Sequence, residues 1–144
     1  MAVEVDDNPI RTLDTESLLE SPDGGMRDVV MVAEPVGAKN LCAGLVWVSP
    51  GTTIHEDAHP FDEVYYVVRG SAELILEGVR YVMTAGNVIN IPAAKKHRVH
   101  NFSETEVFEI FWCIGGAMGA MPGVSEEMAK WNIVDASKGW HLAS

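Results

Sequence analysis

The stretch GTTIHEDAHPFDEVYYVVRG, residues 51–70, decides how this chain is read. It sets His55, Asp57, His59 and Glu63 within nine residues and then runs straight into the apolar VYYVV. A strand repeats every second residue, so His55, Asp57 and His59 project from one face if the strand stays regular, and Glu63 rejoins them after the short PFD bend. Imidazole and carboxylate gathered in this way are donors that divalent first-row ions accept. The same register puts Tyr65 on the Glu63 side, two residues deeper, with Val67 beyond it, and turns Tyr66 and Val68 the other way. Tyr65 is then a candidate acid or base beside the cluster, or a core tyrosine with its hydroxyl bonded.

The flanking texture is that of short strands. RDVVMVAE, LCAGLVWV, AELILE, RYVM, NVINI, HRVHN and VFEIFWCI are β-branched or aromatic runs bounded by Gly, Pro, Asn or Ser. In AELILE, Ala72, Leu74 and Leu76 share one face while Glu73, Ile75 and Glu77 share the other, so that strand has a wet side. VFEIFWCI is apolar on both faces, which predicts cover by a second sheet or by another subunit, and hence a homodimer. Many short strands with no amphipathic helix between them predict an all-β sandwich or barrel.

Three segments follow from this texture. Residues 1–26, acidic and poorly periodic, read as an N-terminal arm punctuated by Ser21, Pro22 and the Gly24-Gly25 pair; residues 27–114 carry the barrel. Residues 115–144 read as a C-terminal flap, in which Ser125 caps a short helix with Glu126 and Glu127 in its first turn, and Trp131 and Trp140 flank the closing segment.

Composition bounds the function. A chain of 144 residues, 47% hydrophobic with mean hydropathy +0.07, suits one compact domain. The net charge of −11 repels nucleic acid and anionic membrane surfaces, which leaves a small-molecule substrate as the expected partner. Cys42 and Cys113 have no CxxC spacing and lie in apolar runs, which predicts reduced thiols and a cytoplasmic setting. The first ten residues lack the basic and apolar regions of a leader, and no apolar run approaches the roughly 18 residues of a membrane span.

A second motif, GNVINIPAAKKHRVHN at residues 86–101, brings His97. With it the chain resembles the cupin superfamily. The first cupin motif has Gly, five residues, His-x-His, three or four residues, Glu, six residues and Gly. Gly51, Asp57, His59, Glu63 and Gly70 fill those places, with Asp57 where the first His stands. In the second motif Gly86, Pro92, Ala94, His97 and Asn101 match every spacing, Ala94 replacing a glycine. The resemblance covers about residues 40–114 and implies an all-β double-stranded β-helix, the jelly-roll barrel, in a small single-domain protein. It implies His59, Glu63 and His97 as metal ligands, with Asp57 in place of a third imidazole. Three arrangements stay open: Asp57 ligates directly, which position favours; His55 substitutes for it; or three protein ligands are completed by water. Two imidazoles and one or two carboxylates suit Fe, Mn, Ni, Co or Zn, and no thiolate is on offer for a structural zinc site. A cupin barrel that has lost its metal is the alternative, although burying two carboxylates without a cation is costly.

His100 and His141 read as surface residues, Asn101 as a turn-former, Arg69 as a strand-end group, and Lys95 and Lys96 as a rim turn or a seat for an anionic substrate. The cupin fold hosts many chemistries, polyketide cyclases among them, so the site must choose. The leading expectation is a metal-dependent isomerase, lyase or cyclase acting on a carbonyl- or carboxylate-bearing substrate through an enolate, with Tyr65 or His55 moving the proton. A non-haem Fe(II) dioxygenase built on His59, Glu63 and His97 is the alternative. A ligand-binding cupin without turnover comes third.

Overall fold

In the computed structural model the described residues are 8–13, 18–33, 37–116 and the strand pair 132–133. The strands are β1 (Leu19–Glu20), β2 (Met26–Val32), β3 (Leu41–Val48), β4 (Thr53–Asp57), β5 (Glu63–Arg69), β6 (Ser71–Leu76), β7 (Val79–Thr84), β8 (Val88–Ile91), β9 (His97–His100), β10 (Phe108–Gly115) and β11 (Asn132–Ile133). All of the apolar runs named from the sequence are strands. No helix among the described residues is long and apolar enough to cross a membrane.

Two antiparallel sheets face each other. One has seven strands in the order β11-β1-β2-β3-β10-β5-β8, and the other has four in the order β4-β9-β6-β7. Alternation decides which side chains they share. From the larger sheet Cys42, Val46, Val48, Tyr65, Val67, Phe108, Ile110, Trp112 and Ile114 point inward, and from the smaller Ala72, Leu74, Met83 and Val99 do so. This is the jelly-roll interior. On the expected apolar face of β6, Ala72 and Leu74 are buried and Leu76 is partly buried.

The outer face of the larger sheet is different along β5, β8 and β10. Val64, Tyr66, Val68, Val88 and Phe111 are exposed there, so the two-sided apolarity of VFEIFWCI is real. Further along the same sheet, Leu18, Val29 and Trp47 form a second buried cluster. It changes the reading of the N-terminal arm, because β1 pairs with β2 and Leu18 is 1% exposed. Burial of Leu18 against Trp47 outweighs the weak local periodicity. Two-residue β11 pairs with β1 in turn. The short helix expected around Ser125, together with Trp131, Trp140 and His141, lies outside the described residues.

Turn chemistry follows the local sequence. Glu77 and Gly78 both have positive φ, 48° and 79°, the paired left-handed turn that joins twisted strands β6 and β7. Gly70 has φ 82° between β5 and β6, and a Cβ there would stand 2.6 Å from the Val107 carbonyl oxygen. That position requires glycine.

Candidate metal centre

Hydrogen bonds at both ends draw the two motifs together. Asn101 is fully buried; its amide donates to the Val48 and Glu106 carbonyls at 3.0 and 2.8 Å, and its Oδ1 accepts the Ser103 N–H at 3.1 Å. Gly51 N–H in turn donates to the Asn101 carbonyl at 2.9 Å, so the first residue of one motif is tied to the last of the other. At the opposite end the Ala94 N–H donates to the His59 carbonyl at 2.6 Å, and Asp62 Oδ1 accepts the Ala93 N–H at 2.8 Å. These bonds fix the loop before β5 against the turn before β9, and so fix His59 beside His97.

His59, Glu63 and His97 are brought together, each buried, with one donor atom apiece and all three atoms within 4.8 Å of one another. Glu63 opens β5, His97 opens β9 and His59 lies in the loop between β4 and β5. Glu63 Oε1 is 3.3 Å from His97 Nε2 and 4.0 Å from His59 Nε2. The two imidazole centroids are 5.3 Å apart. His97 Nδ1 lies 2.9 Å from the Lys95 carbonyl, which only accepts, so Nδ1 carries a proton and Nε2 is the nitrogen turned toward Glu63. That is the orientation a metal ligand needs.

The donor set fits a divalent cation on structural grounds. Glu63 Oε1 is buried without a hydrogen-bond partner, as is His59 Nδ1. A buried carboxylate left in that state carries a large desolvation cost, which a cation at the convergence of the three donors offsets. Its influence is already felt by the neighbours. Burial lowers the His97 pKa, but the Glu63 contact, the Lys95 carbonyl and the Glu63 and Asp57 charges outweigh it and raise the value overall. Tyr65 sits 6.5 Å from His97 between ring centroids and is 6% exposed. Burial first, and then the charge and hydrogen bonding of Glu63, push its phenol well above the ordinary range. Tyr65 therefore keeps its proton beside Glu63.

The other two expected site residues are placed differently. A bulge between Ile54 and Asp57 gives β4 one more residue than β9, with Ile54 opposite Val99 and Asp57 opposite His97. The extra residue shifts the alternation, so the regular strand assumed for His55, Asp57 and His59 is broken. His55 is exposed and stands apart from the three donors. Asp57 turns toward the site, but as a rim group. Its side chain is 46% exposed, Oδ2 lies 3.7 Å from His59 Nε2, and Oδ1 accepts the Ala58 N–H at 2.8 Å. His100, on the opposite face of β9, pairs through Nδ1 with the Thr53 hydroxyl at 2.7 Å.

One interior carboxylate escaped the sequence reading. Asp28, on β2, accepts the Trp112 indole N–H at 3.2 Å. Its signal was a lone Asp between Met26 and Val30 on an otherwise apolar strand face. A separate cleft of about 650 Å³ opens at the loop end of the barrel between Lys39, Asn40, Phe61, Asp62 and Ala93.

Comparison with known proteins agrees with this geometry. The profile of the cupin domain matches residues 44–114. A polyketide synthase protein, CurC of Streptomyces cyaneus, is 27% identical over 81% of this chain and 81% of its own length. Among solved structures, an RmlC-like cupin from Shewanella frigidimarina superposes with a TM-score of 0.63 at 21% identity, covering 75% of this chain and 91% of that one. The polyketide cyclase RemF of Streptomyces resistomycificus does so with a TM-score of 0.63 at 16% identity, over 82% of this chain and 98% of its own. With both motifs in register and the two-sheet barrel closed around them, the chain belongs to the cupin superfamily.

Proposed function

We propose that this protein is a metal-dependent cyclase of carbonyl-rich, polyketide-type substrates. The compact His59–Glu63–His97 group carries the reading, since its three buried donors converge on one point inside the barrel. The likeness to CurC directs the choice of substrate class. A divalent ion held by these three residues supplies Lewis acidity toward a carbonyl oxygen.

The chain's own residues do the rest. Lys95 fixes the His97 tautomer, and Glu63 offsets positive charge at the centre. Tyr65 offers a protonated hydroxyl beside Glu63. Trp112, opposite Tyr65 in register, gives a flat apolar wall on which a conjugated substrate lies. The buried apolar interior excludes water from an enolate that would otherwise be quenched.

The test is to load the protein separately with Zn, Mn, Co, Ni and Fe(II) and to incubate each form anaerobically with a linear poly-β-ketone, following products by mass spectrometry. The expected product keeps every carbon and loses one water, and Glu63→Gln abolishes it. Turnover restricted to the iron form and dependent on O₂ would instead establish the oxygenase that the same donor set serves. Binding without turnover under any metal would make it a ligand-binding cupin.

A further inference from the structure

Asp28 is a carboxylate inside the barrel that belongs to neither motif. It alternates on β2 with Met26 and Val30, which pack against the interior cluster, while Val29 packs outward with Leu18 and Trp47. Its bond to Trp112 spans two strand steps, because β3 lies between β2 and β10. The indole crosses β3 at Gly44, which is opposite Trp112 in register. A Cβ at Gly44 would stand 2.9 Å from Trp112 Cζ2 and 2.0 Å from the Val29 carbonyl oxygen. Only glycine leaves that passage open, so a gap in one strand lets the side chain of a second reach the carboxylate of a third.

β2 stands three strand steps from β5, about 14 Å along the sheet at ordinary strand spacing. The curl of the sheet turns both toward one interior, and the Glu63 charge acts on Asp28. Asp28 is partly accessible, as are Met26 and Val30 beside it on the same face. The interior therefore has two polar poles, the His59–Glu63–His97 group and Asp28, with the Trp112 indole between them.

We propose that Asp28 is a catalytic acid–base residue of the barrel interior, held by Trp112 as its positioning residue, and that it acts on the end of a flat poly-carbonyl substrate remote from the His59–Glu63–His97 group. The proposal rests on the cyclase reading and adds a residue to it. The Asp28 carboxylate takes a proton from a methylene between two carbonyls; the C–H bond breaks and its electron pair passes into the adjacent carbonyl as an enolate. The enolate carbon bonds to a second carbonyl carbon, whose π pair becomes an alkoxide. Asp28 returns the proton to that oxygen, leaving a hydroxyl and the original carboxylate. No oxidant or reductant is consumed.

The protonation behaviour of Asp28 suits this work. Burial raises its pKa, opposed by the Trp112 and Val29 N–H groups and reinforced by the Glu63 charge, to about 7, so both forms are populated at neutral pH. Among the described residues, the other ionisable groups directed into the interior are Glu63 and Tyr65 on β5, Cys42 on β3, His97 on β9, His59, and Asp57 at the rim.

The experiment follows deuterium exchange into the methylene of benzoylacetone in D₂O by proton NMR, with the zinc-loaded full chain. The parent accelerates exchange, Asp28→Asn loses about a hundredfold of that acceleration, and Asp28→Glu recovers part of it. Trp112→Phe slows exchange, since the wall under the substrate shrinks, and moves the pH–rate midpoint upward, because an indole bond that favours the carboxylate is gone. Exchange at the parental rate by a folded, zinc-bound Asp28→Asn overturns the assignment and leaves the cyclase reading standing; a parent inactive with every metal overturns both. If Asp28→Asn loses its native near-ultraviolet circular dichroism, Trp112→Phe decides, and an unmoved midpoint overturns the proposal.

Discussion

His97 Nε2 stands 3.3 Å from Glu63 Oε1, while Nδ1 of the same ring is held by the Lys95 carbonyl at 2.9 Å. The ring is thus aimed before any ion arrives, and the carboxylate faces it without a hydrogen-bond partner at Oε1. Pre-aimed donors make the centre a folding constraint as well as a chemical one. A bound ion at a hundredfold excess over its dissociation constant stabilises the fold by about 2.7 kcal/mol. Added zinc should therefore raise the melting temperature of the parent by several degrees. Glu63→Gln and His97→Ala should each lose that rise and retain less than a tenth of the parental zinc by elemental analysis. A full zinc-induced rise in either variant would remove that residue from the ligand set.

Asp57 occupies the place of a cupin imidazole yet is 46% exposed at its side chain, with one oxygen on the Ala58 N–H. Exposed carboxylates near a buried site contribute through a screened field, worth about 1 kcal/mol or less. Asp57→Ala should keep the zinc stoichiometry of the parent, with affinity reduced by less than tenfold in a competitive chelator titration. Loss of stoichiometric binding would place Asp57 among the ligands after all.

Ala94 replaces a motif glycine but keeps the glycine conformation, with φ 65°. A left-handed alanine costs roughly 1–2 kcal/mol, and glycine entropy returns part of that. The Ala94 N–H is committed to the His59 carbonyl at 2.6 Å, so the turn cannot relax without loosening the link between the two motifs. Ala94→Gly should raise stability by about 0.5 kcal/mol in urea unfolding and leave zinc stoichiometry unchanged. A destabilised variant would mean that the strain is absorbed elsewhere.

The strands and the three converging donors were legible because both depend on short-range rules. β-branched runs between turn residues marked the strands, and the spacing of Gly51, His59, Glu63, His97 and Asn101 carried the centre. The bulge in TIHED was not legible. No Gly or Pro marks it, and it arises from pairing with β9, more than forty residues away in the chain. His55 was misplaced for that reason alone. Leu18 was hidden in the same way, since its burial depends on Trp47 from β3. Asp28 showed as a polar residue on an apolar face, but its partner becomes visible only when Gly44 is known to let Trp112 across.

Asp28 also makes a stability prediction that is separate from catalysis. Its pKa is 3.8 in an open chain and about 7 in the fold, so between those values the folded chain binds a proton that the unfolded chain has released. The slope of unfolding free energy with pH is then negative. The contribution of this residue is fully present below about pH 4, falls as pH rises through about 7, and is level above that. Its size is on the order of a few kcal/mol. Asparagine keeps the shape and an acceptor for the Trp112 indole but does not titrate. Asp28→Asn should thus gain on the metal-free parent by about 2–3 kcal/mol between about pH 5 and about pH 8, measured by urea unfolding at both. Taking the difference between the two proteins removes the background from the other acidic groups of a chain with net charge −11. A difference that stays constant from about pH 5 to about pH 8 would show that Asp28 titrates as an ordinary exposed carboxylate, and would take with it the interior placement on which its proton chemistry rests.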